Sequence, residues 1–291
     1  MTNFGTEQVP GECRRALSVD IFKPGTTNGV GVILLHGGGW ASGDRRMMHG
    51  YAEVLAKTGF VVLAAEYRLL HEAPWPSQIE DVRDMVRWAR AQSSRLGIDP
   101  DKIALQGYSA GAHIALMVAG TQSGSGNEGA VPGNPSGAQV AAVVSFFAPA
   151  RLATDPVAME RPPLALLLQG GGEEAARAAS PIHFVNSRFP STLILGGMAD
   201  YMQPLDAGMD LLSAFVDAGA EVEFHYLHSQ RHEFAMTPAM IDGVMAEVAF
   251  FYRRTLIDRA ALEAEARAIN PFARASSQRE FVQMMAVAQP R

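Results

Sequence analysis

A chain of 291 residues with 48% apolar and 19% charged residues is long enough to bury a full core and is typical of a globular protein. The net charge is -6 and no Lys/Arg-rich run occurs, which argues against a nucleic-acid partner. The single cysteine, Cys13, excludes an internal disulfide and indicates a reducing compartment. Residues 1–11 lack the pattern of a signal peptide and no run is long enough to span a bilayer, so we expect a cytoplasmic protein with no membrane span.

In the first 120 residues, apolar strands alternate with amphipathic helices. Strands are predicted at 17–21, 30–35, 60–65 and 103–105. Helices are predicted at 45–58, from Ser77 to about Arg95, and at 112–119. Ser77 and Glu80 have the spacing of a capping box, and residues 96–101 have the composition of a turn. Short links between alternating elements predict an α/β fold, a mostly parallel sheet with helices on both faces.

The second half continues this alternation with one interruption. A Gly/Ser/Asn/Pro-rich loop is predicted at 121–137, and a small insertion over the carboxyl edge of the sheet at about 150–190. Strands are predicted at 141–147, 192–195 and 222–226, and helices at 204–216, 238–252 and 262–269. Thr237 and Pro238 provide the N-cap and first turn of the penultimate helix. We therefore expect a single domain over 1–291, with its core at about 16–255 and an additional helical tail at about 256–291.

Gly107-Tyr108-Ser109-Ala110-Gly111 lies between the strand at 103–105 and the helix at 112–119. This G-x-S-x-G pattern predicts a nucleophile elbow, in which a sharp turn exposes the serine hydroxyl and leaves room only for glycine beside it. A serine in an ordinary turn is the alternative interpretation.

A second glycine-rich loop, His36-Gly37-Gly38-Gly39-Trp40, directly follows the strand at 30–35. Its glycines allow backbone N–H groups to face a developing negative oxygen, as an oxyanion hole requires. A phosphate-binding loop is the competing interpretation, although Trp40-Ala41-Ser42-Gly43 breaks the G-x-G-x-x-G spacing that such a loop requires. Trp40 is interpreted as a pocket wall or a packing residue.

An acid and a base are predicted after two later strands, at the edge where ligands bind in such sheets. Asp200 follows the strand at 192–195, and it either orients a histidine or only caps a turn. Asp206 and Asp210 fit the solvated face of the next helix. Of the 8 histidines, His228 and His232 follow the last strand. His232 is the better base because His228 is barely past the strand, but either fits a structural histidine.

The chain order Ser, Asp, His, each just beyond a strand, resembles the α/β-hydrolase superfamily. The His-Gly-Gly-Gly stretch resembles the hormone-sensitive-lipase-like esterases, and the likeness covers about residues 16–255. Further stretches match that family, namely Glu66-Tyr67-Arg68-Leu69, Asp99-Pro100-Asp101-Lys102 and Ala179-Ser180-Pro181-Ile182, together with Pro76.

This resemblance implies a serine carboxylic-ester hydrolase that acts on small or short-acyl esters through an acyl-enzyme, with no metal or organic cofactor. The implied catalytic residues are Ser109, Asp200 and His232. The implied oxyanion donors are the N–H groups of Gly38, Gly39 and Ala110, with Gly37 as a substitute. Trp40 and Tyr108 are the implied pocket residues.

Alternatives and departures qualify this prediction. The His-Gly-Gly-x-Trp form also resembles arylformamidases, the stretch from Ala179 to Ile182 resembles carbohydrate acetyl or feruloyl esterases, and a non-catalytic binding protein of the same fold is a further alternative. Arg231 and Glu233 stand beside His232 where the family usually has glycine. The short N-terminal segment implies a more open pocket, and the tail packs on the surface or joins subunits into a homo-oligomer.

Overall fold

The computed structural model describes residues 3–10, 16–122, 137–153, 160 and 162–287. An eight-stranded sheet forms its centre. The strands are β1 (Asn3–Val9), β2 (Leu17–Lys23), β3 (Gly29–Leu35), β4 (Val61–Ala65), β5 (Ile98–Tyr108), β6 (Ala142–Phe146), β7 (Ser191–Gly197) and β8 (Val222–Leu227). Their spatial order is β1-β2-β4-β3-β5-β6-β7-β8. β2 pairs antiparallel with both β1 and β4, and the other five pairings are parallel, which confirms the mostly parallel sheet.

Helices cover both faces of the sheet. They are α1 (His49–Lys57), α2 (Ser77–Ala91), α3 (Ser93–Leu96), α4 (Ala110–Gly120), α5 (Pro162–Leu168), α6 (Gly172–Ala178), α7 (Leu205–Ala218), α8 (Pro238–Tyr252), α9 (Arg259–Ile269) and α10 (Gln278–Val287). Ile33 and Leu35 of β3 belong to the cluster that includes α2 and α4 residues, whereas Val32 and Leu34 belong to the cluster with α1 and α8. The continuous apolar run of β3 is therefore buried from both sides, as the sequence predicts.

The predicted capping box is wrong. Ser77 is the first residue of α2 rather than its N-cap, which is Pro76, and no side chain caps this end of the helix. The Glu80 carboxylate instead accepts a hydrogen bond from Arg83 at 2.6 Å, one turn further along. The predicted helix up to about Arg95 is also divided, since α2 ends at Ala91 and α3 follows after Gln92.

Two strand boundaries differ from the sequence prediction. β1 is a strand that the sequence pattern did not predict, and it pairs along its full length with β2. β5 begins at Ile98, inside the predicted turn, because Gly29 pairs with Ile98 while Gly31 pairs with Ile103. The four residues 99–102 of β5 thus lie opposite the single residue Val30 of β3, an irregularity that combines turn composition with strand pairing.

Several predicted features lie partly or wholly outside the described residues. Residues 123–136 of the predicted loop, residues 154–159 and 161 of the insertion, and Cys13 are among them. The remainder of the insertion contains α5, α6 and a 3₁₀ turn at Pro181–Phe184. In the part of the chain that the structure describes, no helix is both long and apolar enough to cross a membrane. The division into core, insertion and tail stays a prediction.

Candidate active site

Ser109 lies in the sharp turn between β5 and α4, with φ 51° and ψ −117°. A Cβ atom on Gly107 would overlap the backbone of Gly111, and one on Gly111 would overlap the carbonyl groups of Leu35 and His36. Only glycine fits at either position, because the turn brings α4 directly against β3 and β5. The positive φ at Ser109 and these two close approaches are the geometry of a nucleophile elbow.

His232 lies between Ser109 and Asp200. Its Nε2 is 3.0 Å from Ser109 Oγ, and its Nδ1 is 2.8 Å from Asp200 Oδ2. The Asp200 side chain is fully buried, while 15% of the His232 side chain is exposed. A carboxylate accepts the Nδ1 proton and leaves Nε2 as a proton acceptor facing the hydroxyl. The arrangement therefore suits removal of the Ser109 proton by His232.

Asp200 also holds the turn in which it lies. Its Oδ1 accepts hydrogen bonds from the backbone N–H groups of Met202, at 2.8 Å, and Gln203, at 3.0 Å. The two interpretations of Asp200 drawn from the sequence, a histidine partner and a turn cap, thus describe its two different oxygens.

The other histidine considered as a base is placed elsewhere. His228 is exposed just beyond the end of β8, and the described contacts of Ser109 include His232 alone among the histidines. The structure therefore brings together the preferred set of residues.

The glycine loop after β3 folds tightly on itself beside Ser109. The carbonyl oxygen of Gly38 accepts hydrogen bonds from the N–H groups of Ala41, at 3.2 Å, and Ser42, at 3.0 Å. A Cβ atom on Gly38, where φ is +119°, would overlap the Ser42 carbonyl. On the opposite side, Ala110 is the first residue of α4, so its N–H has no acceptor within the helix. The oxyanion-donor roles of these residues, and of Gly39 or Gly37, stay predictions.

A family model described as BD-FAE matches residues 19–215, which is more than half of the chain. The chain belongs to the BD-FAE family. Among curated relatives, "Esterase LipQ" of Mycobacterium tuberculosis is 27% identical over 74% of this chain and 53% of its own length. "Esterase LipC" of the same organism is 31% identical over 60% of this chain and 45% of its own. This BD-FAE chain thus spans about half the length of these relatives.

Solved structures show the same fold. Thermogutta terrifontis esterase 2 phosphonylated by sarin superposes with a TM-score of 0.75 at 23% identity, covering 87% of this chain and 95% of that one. A truncated carbohydrate esterase from gut microbiota gives a TM-score of 0.71 at 25% identity, covering 85% and 96%. The BD-FAE chain accordingly has the α/β-hydrolase fold that its sequence predicts.

Trp40 connects the glycine loop of this BD-FAE chain to the elbow helix. The indole Nε1 donates to His113 Nδ1 at 3.1 Å, and His113 Nε2 donates to the carbonyl oxygen of Ala179 at 2.6 Å. An indole N–H can only donate, so Nδ1 accepts and the imidazole is neutral. Burial lowers the pKa of His113 to about 4, against a smaller opposing effect of the Ala179 carbonyl. Of the two roles open to Trp40, the structure supports packing, since only 6% of the residue is exposed.

Tyr108 lies in the core rather than on a pocket wall, contrary to its predicted role. Its ring stacks between Tyr51 and Phe146, with both centroid distances 4.5 Å, and only 3% of the residue is exposed. The hydroxyl accepts a hydrogen bond from Gln106 Nε2 at 2.6 Å. The strand alternation continues through Tyr108 and directs its ring into the sheet-helix core before the chain turns at Ser109.

Sequence reasoning did not identify Phe147 as a residue of the site. It follows β6 with φ 41°, and its ring centroid lies 4.7 Å from that of His232. The two rings are tilted by 56°, so Phe147 packs against the imidazole without stacking on it. Its position just after an apolar strand was the only indication in the sequence. An apolar residue at that position is equally typical of the last residue of a strand.

Two of the family-like stretches have structural explanations. The Tyr67 ring stacks on His36 at 4.3 Å and its hydroxyl donates to the His36 carbonyl at 2.8 Å, which supports the start of the glycine loop. Ser180 Oγ accepts from the Leu152 N–H at 2.9 Å and donates to the Ala176 carbonyl at 2.5 Å, which ties the return of the insertion to the edge of the sheet.

Proposed function

We propose that this protein is a serine carboxylic-ester hydrolase that acts through an acyl-enzyme. The 3.0 Å approach of His232 Nε2 to Ser109 Oγ, with Asp200 on the other ring nitrogen, carries the proposal. The names of its relatives, which are esterases, support the same reaction class.

In the proposed reaction, His232 removes the Ser109 proton as Oγ attacks the acyl carbon, and Asp200 stabilises the imidazolium that forms. N–H groups of the glycine loop and of Ala110 receive the oxyanion. The tetrahedral intermediate collapses, the C–O bond to the alcohol breaks, and His232 returns its proton to the leaving alkoxide. Water then attacks the acyl-enzyme with His232 again as base, which releases the acid and restores Ser109.

We assign small or short-acyl esters as the substrate class. The insertion approaches the oxyanion loop closely, since side-chain atoms of Pro163, at the start of α5, lie 3.4 Å from the point that a Cβ atom on Gly39 would occupy. Such a neighbour limits the space beside the acyl carbon. A carbohydrate ester is the second candidate, supported by the likeness to the carbohydrate esterase from gut microbiota.

Hydrolysis of 4-nitrophenyl acetate by the wild type and by Ser109→Ala tests the reaction class. We expect the variant to lose at least ~10³-fold in kcat, as removal of a catalytic nucleophile does elsewhere. His232→Ala should lose a similar factor, whereas the matched variant His228→Ala should keep most activity. Equal rates for wild type and Ser109→Ala would refute the proposal. Acetylated and feruloylated saccharides, compared with simple alkyl esters, decide between the two substrate classes.

We also propose that the tail contributes to self-association. Ile269, Phe272, Val282 and Met285 in and between α9 and α10 are all at least 48% exposed, and subunit contacts commonly bury exposed apolar side chains of this kind. Light scattering of the wild type and of an Ile269→Glu, Val282→Glu double variant tests this, with a dimer expected only for the wild type. A monomer in both cases refutes it.

The cytoplasmic location drawn from the single cysteine is testable by cell fractionation.

A further inference from the structure

Glu233 carries a carboxylate that lies beside the proposed nucleophile. Its Oε1 is 3.8 Å from the point that a Cβ atom on Gly37 would occupy, and Ser109 Cβ is 3.4 Å from the same point. The serine and the carboxylate therefore flank one glycine of the loop. Within the described part of the chain, no residue forms a hydrogen bond or an ion pair with the Glu233 side chain. The neighbouring Arg231 does not pair with it either.

The backbone holds Glu233 in this position. The residue has φ 59° and ψ 21°, the left-handed conformation that glycine adopts more readily, and it precedes the 3₁₀ turn at Phe234–Met236. Its carbonyl accepts a hydrogen bond from the Met236 N–H at 2.9 Å. Glycine would adopt this backbone conformation at a lower cost, so the local fold gives no reason for a glutamate here.

The negative charge of Glu233 acts on a buried side chain, that of Tyr51. Tyr51 is only 2% exposed, and its hydroxyl has no hydrogen-bond partner in the described part of the chain. Burial raises the pKa of Tyr51, and the negative charge of Glu233 raises it further. A carboxylate that acts on a buried hydroxyl is incompletely screened by water on that side.

The proposed reaction places the leaving alcohol on the side of Ser109 that faces His232. His232 protonates the departing alkoxide, so the alcohol lies beside His232, and Glu233 is the next residue of the chain. We propose that Glu233 makes the site select esters whose alcohol carries a positive charge, such as a quaternary ammonium alcohol. This inference rests on the proposed ester-hydrolase function.

The proposal predicts different behaviour for neutral and cationic esters. In the transition state the oxyanion and the imidazolium carry opposite charges, so the effects of Glu233 on them largely cancel for a neutral ester. A cationic alcohol adds one attraction that is not cancelled. Because Glu233 is exposed on its outer side, solvent screening limits the expected preference to about 3- to 10-fold in kcat/KM.

Butyrylcholine and 3,3-dimethylbutyl butyrate test this directly, since carbon replaces the charged nitrogen in the second ester without a change of shape. The readout is the ratio of their kcat/KM values, measured by acid release. We expect Glu233→Gln to lower the ratio about 3- to 10-fold with little change for the neutral ester, and Glu233→Asp to preserve part of the preference. Salt at about 0.5 M should lower the ratio of the wild type, because it screens exposed charges. Asp217→Asn is the matched control and should leave the ratio unchanged. Asp217 is an exposed carboxylate near the end of α7, towards the amino end of β8 and away from the carboxyl edge that carries the site.

An unchanged ratio in Glu233→Gln, or an equal loss for both esters, would overturn the inference. Ser109→Ala separates this failure from that of the proposed function, because it must abolish hydrolysis of both esters whatever their charge. If neither ester is turned over, choline and 3,3-dimethylbutanol are compared as inhibitors of 4-nitrophenyl acetate hydrolysis. Choline that binds no more tightly than the neutral alcohol, or equally in Glu233→Gln, would contradict the proposal.

Discussion

Replacement of Asp200 by Asn and by Ala separates the two roles of its carboxylate oxygens. Asparagine keeps an oxygen for the N–H groups of Met202 and Gln203, but its NH₂ group faces His232 Nδ1 and favours the wrong tautomer. A loss of about 10⁴-fold in kcat is expected from such a tautomer reversal. Alanine removes all three interactions. Two backbone hydrogen bonds contribute about 0.5 to 1.5 kcal/mol each, so Asp200→Ala should be roughly 1 to 3 kcal/mol less stable than Asp200→Asn.

The assay combines kcat for 4-nitrophenyl acetate with the free energy of unfolding in urea, followed by circular dichroism. Both variants should be nearly inactive, and only Asp200→Ala should show the additional loss of stability. If Asp200→Asn keeps kcat within about tenfold of the wild type, Asp200 does not orient His232 in the manner of a triad acid. If the two variants unfold at the same urea concentration, the hydrogen bonds to Oδ1 contribute nothing to stability.

Three further substitutions test the packing around the site. Gly111→Ala places a Cβ atom against the carbonyls of Leu35 and His36 and should lower the free energy of unfolding by at least ~1 to 3 kcal/mol. Gly243→Ala in α8 is the control, because nothing lies within 4 Å of the added Cβ atom and stability should not fall. Equal unfolding free energies for the two variants would contradict this. Trp40→Phe leaves His113 Nδ1 buried without its donor and should cost about 1 to 3 kcal/mol in urea unfolding; an unchanged stability would refute the role of that bond. Because the pKa of His113 is lowered to about 4, the unfolded chain binds the extra proton between pH 6.5 and 4, and stability should fall by about 3 kcal/mol as the pH decreases through that window. His113→Gln should have a flatter dependence of unfolding free energy on pH, and the same slope as in the wild type would refute the assignment.

The proposed catalytic residues were predictable because each directly follows an apolar strand. Ser109, Asp200 and His232 come after β5, β7 and β8, and parallel strands bring their carboxyl ends to one edge of the sheet. Strand identity and chain order were therefore sufficient to predict which side chains meet. The distances between them depend on turn geometry, which periodicity does not contain.

The incorrect predictions from the sequence share a physical cause, because most of them depend on backbone geometry at the ends of helices and strands. A Ser-x-x-Glu pattern has the same spacing whether Ser77 caps the helix or begins it, and Pro76 decided the outcome in the structure. Tyr108 was predicted as a pocket residue, but the side-chain alternation of β5 directs its ring inward. β1 pairs with β2 through the backbone, and its sequence carries little apolar alternation that would predict a strand.

Backbone strain in this fold is concentrated at the edge of the sheet that carries the site. Five residues other than glycine have positive φ on loops that follow β3, β5, β6 and β8, namely Trp40, Ser109, Phe147, Ser229 and Glu233. Such conformations cost on the order of 1 kcal/mol or more each. Elsewhere in the described chain, Gly97 after α3 and Gly219 after α7 adopt this conformation as glycines, and Gln169 after α5 is the one further residue with a side chain that has positive φ. Glycine would relieve the strain on the site loops too, so the side chains at those positions carry a cost in stability. The parallel core, with β3 buried on both faces, supplies the stability that offsets it.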